Sequence, residues 1–84
     1  MVYFVYLVRC KDSSLYCGIT TDVKRRIDEH NTSIRSLKYT RSRRPVTLVY
    51  VEEVTSREDA LKREFSIKRL SKLKKEQLLK ATGV

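Results

Sequence analysis

The chain has 84 residues, 19 lysines and arginines against 10 acids, and a formal net charge of +9. That length suits a single domain over residues 1–84 and excludes a catalytic domain joined to a separate binding domain. The basic excess favours polyanionic partners, nucleic acid before anionic membrane, with a solvated basic surface as the plain alternative.

Residues 3–10 (Tyr-Phe-Val-Tyr-Leu-Val-Arg-Cys) are β-branched, aromatic and apolar, which reads as a buried strand. The apolar run at residues 2–8 is too short for a membrane span and lacks a signal-peptide layout, so no membrane association and a reducing, cytoplasmic setting are expected. Lys-Asp-Ser-Ser at 11–14 is turn chemistry, and residues 15–20 read as a second strand completing a hairpin. Cys10 and Cys17 with one histidine make a tetrahedral zinc centre unavailable and a disulfide scaffold unexpected. Thr20, Thr21 and Asp22 can each cap a helix over 22–30. Residues 31–45 lack a period and carry Arg35, Lys38, Arg41, Arg43 and Arg44 before Pro45, a basic loop. Residues 46–54 read as a third strand. Ser56 with Asp59 resembles a capping box and opens a helix to Leu70. Ser71 caps a last helix with Leu73, Leu78 and Leu79 as its apolar contacts. The order is β-β-α-β-α-α, an α+β fold with a small three-stranded antiparallel sheet flanked by helices.

Helical geometry singles out two charged residues. Each residue turns the chain by about 100°. On the second helix Ala60, Leu61 and Ile67 define the inward arc, and Glu64 falls about 40° from Ala60, inside the apolar stripe. A carboxylate there is costly unless paired, so either a salt bridge to an arginine or a metal ion explains it. On the first helix Val23 and Ile27 face inward, with Arg26 and His30 beside them, whereas Arg25 points about 160° away from Ile27. His30 also suits a helix C-terminus, where it complements the macrodipole, and Arg26 also reads as a solvated charge.

Tyr6 and Tyr16 fall in the facing strands of the hairpin. Core packing is the ordinary fate of a strand tyrosine. They share a sheet face only if paired residue numbers have an even sum. A four-residue turn pairing Cys10 with Leu15 would split them, so a common site requires an odd-length turn or a bulge near 11–15.

Phe4-Val5-Tyr6, Tyr16-Cys17-Gly18, Asp22 with Arg26, His30 and Asn31, then Lys38-Tyr39-Thr40-Arg41, Arg44-Pro45 and Glu64 together resemble the GIY-YIG nuclease family, nearest to its small stand-alone bacterial members. No single triplet is specific; the ordered set is. Phe4 departs from the glycine of the first triplet, Cys17 from the usual apolar residue of the second, and residues 32–37 lack expected glycines. The resemblance implies that Tyr6 and Tyr16 are the motif tyrosines and that Gly18 allows close backbone approach. It implies Arg26 as the catalytic arginine, Glu64 as the metal-binding glutamate and His30 as a histidine of some branches.

The expected activity is therefore metal-dependent endonucleolytic hydrolysis of DNA, with Tyr6, Tyr16, Arg26, His30 and Glu64 catalytic and Mg²⁺ or Mn²⁺ on Glu64. Arg26 would pair with phosphate oxygens. Tyr6 would act as general base, given a pKa lowered by nearby positive charge. Gly18, Arg35, Lys38, Tyr39, Thr40, Arg41, Arg43 and Arg44 would contact substrate, backbone first, so that branched or single-stranded shape matters more than sequence, as in repair or recombination. A monomer is expected, with a protein partner able to supply targeting. The alternatives are a nucleic-acid-binding module of the same fold without significant catalysis, and a basic interaction protein with both tyrosines in its core.

Overall fold

Apolar and β-branched residues dominate Tyr3–Arg9, which forms β1; Leu15–Thr20 forms β2 and Thr47–Val54 forms β3. The structure, a computed structural model, describes residues 2–32 and 38–82. The sheet is antiparallel with order β2-β1-β3. β1 is central and covered on both faces, so residues 5–8 are all buried. Side chains alternate along a strand. Val5 and Leu7 therefore enter one core cluster, Tyr6 and Val8 the other.

The helices are α1 (Val23–Thr32), α2 (Lys38–Arg41), α3 (Arg57–Lys68) and α4 (Lys72–Thr82). The expected order holds, with one addition: α2 is a single turn inside the stretch read as a loop, too short to show a period. The caps lie where side-chain chemistry puts them. Asp22 Oδ1 accepts from Arg25 N at 3.1 Å, Ser56 Oγ from Asp59 N at 3.1 Å and Ser71 Oγ from Lys74 N at 3.2 Å. Among the described residues, no helix is long and apolar enough to cross a membrane.

α3 and α4 cover the Val5/Leu7 face with Ala60, Ile67, Leu78 and Leu79. Leu61 and Leu73, expected to face inward, are 39% and 68% exposed. The sheet-facing arc of α3 is instead Ala60, Arg63, Glu64 and Ile67, spaced i, i+3, i+4, i+7. Arg63 joins it because Glu52 on β3 accepts from its Nε at 3.0 and 3.1 Å. That rotation leaves Leu61 about 100° from Ala60, beyond the rim. The opposite face of the sheet receives Ile27 of α1 and Val46.

The hairpin has the register that a common tyrosine site requires. Arg9 pairs with Leu15, Val8 with Tyr16 and Tyr6 with Gly18. Ser13 N donates to Cys10 O at 2.9 Å and Cys10 N to Ser14 O at 2.8 Å, while Ser13 adopts φ 70°, a left-handed conformation. A three-residue loop ending in such a residue keeps paired numbers even in sum. Tyr6 and Tyr16 therefore project from one face.

Candidate active site

Tyr6 stands at the centre of the sheet and leans over its cross-strand partner Gly18. A Cβ at position 18 would lie 2.5 Å from the Tyr6 hydroxyl and 2.7 Å from its ring carbon Cζ. The close approach expected of Gly18 is thus made by the Tyr6 phenol. α1 then delivers two residues one turn apart to that hydroxyl. His30 Nε2 lies 2.8 Å from it, and Arg26 Nε donates to it at 3.4 Å. His30 Nδ1 lies 2.8 Å from Thr40 Oγ1 on α2. Tyr6, His30 and Thr40 are each at most 1% exposed.

The hydrogen-bond inventory fixes the direction of this chain. Arg26 only donates, so the Tyr6 oxygen accepts from it. The phenolic hydrogen, buried, needs an acceptor, and His30 Nε2 is the one at hand. We therefore assign Nδ1–H as the donor to Thr40 Oγ1, with the imidazole neutral. Burial, followed by the neighbouring Arg26 charge, holds His30 below its ordinary pKa. Burial also pushes Tyr6 up to about 12, against the lowering pull of its Arg26 hydrogen bond and charge. This corrects the expected lowering of Tyr6: loss of hydration outweighs the guanidinium.

Tyr16 closes the other side of His30, ring centroids 5.6 Å apart at 68°. Burial raises its pKa; Arg26 then pulls it down and Glu64 pushes it up, so Tyr16 feels both charges. Glu64 is half-buried with its side chain 19% exposed, and its partner is Lys68 Nζ at 3.4 Å, one turn along α3 rather than an arginine. The same ammonium sits 5.8 Å from the Tyr16 ring centroid. The two layers thus meet at Tyr16, with Arg26 on one side and the Glu64–Lys68 pair on the other.

The basic stretch divides. Arg35 lies outside the described residues, as do the side chains of Lys38 and Tyr39. Thr40, expected to contact substrate, is fully buried and committed to His30. Arg43 Nε pairs with Asp12 at 3.0 Å on the hairpin turn. Arg44 Nε donates to His30 O at 2.6 Å, satisfying a carbonyl near the end of α1. Arg41 is exposed. Sequence reasoning missed Thr40 as the histidine's partner, since no period marks it. It also missed Lys68, which the i, i+4 relation to Glu64 does signal.

Among the described residues, no three His, Cys, Asp or Glu side chains cluster as a metal cage. A lone half-buried carboxylate suits a hard ion such as Mg²⁺, which keeps several waters and binds through one or two carboxylates plus substrate phosphates. Glu64 fits that donor set.

Residues 2–77 match the GIY-YIG catalytic domain. The chain is 55% identical over 80 residues to the UPF0213 protein DP2720 of Desulfotalea psychrophila, covering 95% of this chain and 73% of that one. It is 47% identical over 77 residues to the UPF0213 protein SH2523 of Staphylococcus haemolyticus, covering 92% and 93%. The solution structure of the UPF0213 protein BH0048 from Bacillus halodurans superposes with a TM-score of 0.65 at 47% identity, covering 99% of this chain and 87% of that one. The solution structure of EF2693 from E. faecalis gives 0.66 at 38%, covering 96% and 85%. With the motif tyrosines on one face, the arginine and histidine on α1 and the glutamate on α3, the chain belongs to the GIY-YIG family of nuclease domains.

Proposed function

We propose that the protein is a metal-dependent endonuclease that hydrolyses phosphodiester bonds in DNA. The observation that carries this reading is the Tyr6 hydroxyl held between a neutral imidazole and a guanidinium. A phenol at a pKa near 12 is a poor base alone. Backed by His30 it becomes a relay: the attacking water gives its proton to the Tyr6 oxygen as the phenolic proton passes to His30 Nε2. Thr40 keeps Nε2 free by holding Nδ1–H. Arg26 turns its fork from Tyr6 and Glu29, its 3.3 Å partner, to the non-bridging oxygens of the phosphate. Tyr16 orients water or phosphate at the rim. Glu64 would hold the divalent ion, which would supply Lewis-acid stabilisation of the leaving oxygen.

Basic side chains address the phosphate backbone and carry little sequence information. Selection by shape, of branched or single-stranded DNA, follows from that and suits repair or recombination intermediates. A partner protein supplies targeting. The competing reading, binding without catalysis, draws on the complete burial of Tyr6. Purified protein with Mg²⁺ or Mn²⁺ and branched or single-stranded DNA decides between them. Cleavage by the intact chain, lost in Arg26→Ala and in Glu64→Ala, is the expected result. Cleavage surviving either change sinks the assignment, and salt-sensitive binding with no cleavage favours the binding module.

A further inference from the structure

A second feature lies beyond the tyrosines, where α4 passes the hairpin turn. Ser14, Leu15, Lys72 and Lys75 line a cleft of about 200 Å³. One water takes about 30 Å³ in the liquid, so the cleft has room for a phosphate group with some of its hydration. Its two ammonium groups differ from most cations nearby. Arg9 is bound to Glu76 at 2.6 and 2.9 Å, Arg43 to Asp12 and Lys68 to Glu64. Among the described residues Lys72 and Lys75 enter no ion pair. Glu76, the one acid of α4, has its charge met by the two-pronged Arg9 contact and so repels an incoming anion little.

Position gives the cleft its meaning. Leu15 lines it from β2, and its neighbour Tyr16 turns to the opposite face of that edge strand, so the cleft lies across β2 from the tyrosine site. Lys68 sits over that tyrosine, and the next residue, Cys17, feels the charges of Glu64, Lys68 and Lys75 together. We propose that Lys72 and Lys75 bind the phosphodiester backbone of the nucleic acid flanking the scissile bond, on the hairpin-turn side. This rests on the nuclease reading for its substrate, but it is separable from cleavage. It also places a nucleic-acid contact on the α3/α4 layer, opposite the basic stretch after α1.

The test is binding of a labelled forked DNA to the full chain in EDTA, across 50–200 mM salt. Each phosphate contact contributes about 0.7–0.9 to the slope of log affinity against log salt. Lys72→Gln with Lys75→Gln, which keeps the side-chain stems, is expected to lower the slope by roughly 1.4–1.8 and so weaken binding roughly 25- to 60-fold at 100 mM. Lys24→Gln with Lys80→Gln removes the same charge elsewhere and is expected to change the slope by less than half as much. An unchanged slope in the first pair, equal changes in both pairs, or no DNA binding by the parent chain overturns the proposal. A parent chain that binds as described but never cleaves removes the nuclease reading and leaves the cleft. A parent chain that cleaves, with the first pair behaving as the parent, removes the cleft and leaves the nuclease.

Discussion

The two faces of the sheet are built from alternate residues of one strand and do different work. Under α3 and α4 the buried set is Val5, Leu7, Cys17, Ala60 and Ile67, all apolar, with the Arg63–Glu52 pair kept to the rim. Under α1 and α2 the buried set includes Tyr6, His30 and Thr40, joined through their polar atoms. The first face supplies stability through area and packing. The second gives up apolar area for a hydrogen-bonded chain that is worth keeping only if complete. The apolar core and the polar chain are thus separated by less than a sheet's thickness.

One change on each face should break the comparison most sharply. Tyr6→Phe keeps the ring and removes the hydroxyl; cleavage is expected to fall about 10²- to 10⁴-fold with DNA binding retained. Ile67→Ala is expected to cost about 2–5 kcal/mol in urea unfolding while cleavage per folded molecule stays near the parent value. Equal cleavage by the tyrosine variant would remove Tyr6 from the chemistry. Thr40→Val comes next. It strands the His30 Nδ1–H in a dry site, for about 1–3 kcal/mol, and loosens the tautomer that leaves Nε2 open. A variant with parent-like stability and cleavage rate would show the chain does not extend to α2.

Acidity should report the same face. His30 has a folded pKa below its ordinary 6.5. Below pH 6.5 the unfolded chain therefore binds more protons than the folded one, and stability falls as pH drops through that window. The contribution is fully present above 6.5. His30 is the sole histidine, so unfolding measured between pH 7 and pH 5 isolates it, and His30→Gln should flatten the curve. A second limb appears at high pH. Tyr6 is raised from 10.0 to about 12 and Cys17 from 9.0 to about 11, so stability is lost as pH climbs above those unfolded values. In cleavage, a relay through His30 predicts a rate that rises through the lowered histidine pKa and then levels. A rate still climbing at pH 10 would mean that Tyr6 acts alone. The smallest effect belongs to the turn: Ser13→Gly should stabilise by about 1 kcal/mol, because glycine adopts the left-handed conformation without steric cost.

Much of this was legible in the sequence because it obeys a period. Runs of β-branched residues marked the strands, and serine and aspartate marked the helix starts. The 100° step singles out Arg26 and Glu64 from the sequence alone. The same wheel erred at Leu61 and, by hydropathy, at Leu73, because it ranks residues by apolarity. α3 instead turns Arg63 and Glu64 to the sheet, held by Glu52 and Lys68. Thr40 was illegible as a histidine partner, since a four-residue helix has no period and its meeting with His30 is purely tertiary. The tyrosine pairing was conditional on one left-handed serine. The raised Tyr6 pKa could not be read at all, because burial is a property of the assembled layers.

The end of α1 carries one more consequence. Asn31 Nδ2 donates to Val46 O at 3.1 Å and Asn31 Oδ1 accepts from Val46 N at 2.7 Å, so an amide side chain imitates a strand neighbour at the approach to β3. Next to it Arg44 ties down the His30 carbonyl, and Thr40 ties down the imidazole. The histidine is therefore moored to α2 by its ring and to the approach to β3 by its carbonyl. Lengthening a chain whose ends are fixed costs little, about 0.6 kcal/mol for each doubling. A change of length between residues 32 and 38 thus leaves these described contacts, and the relay proposed on them, in place.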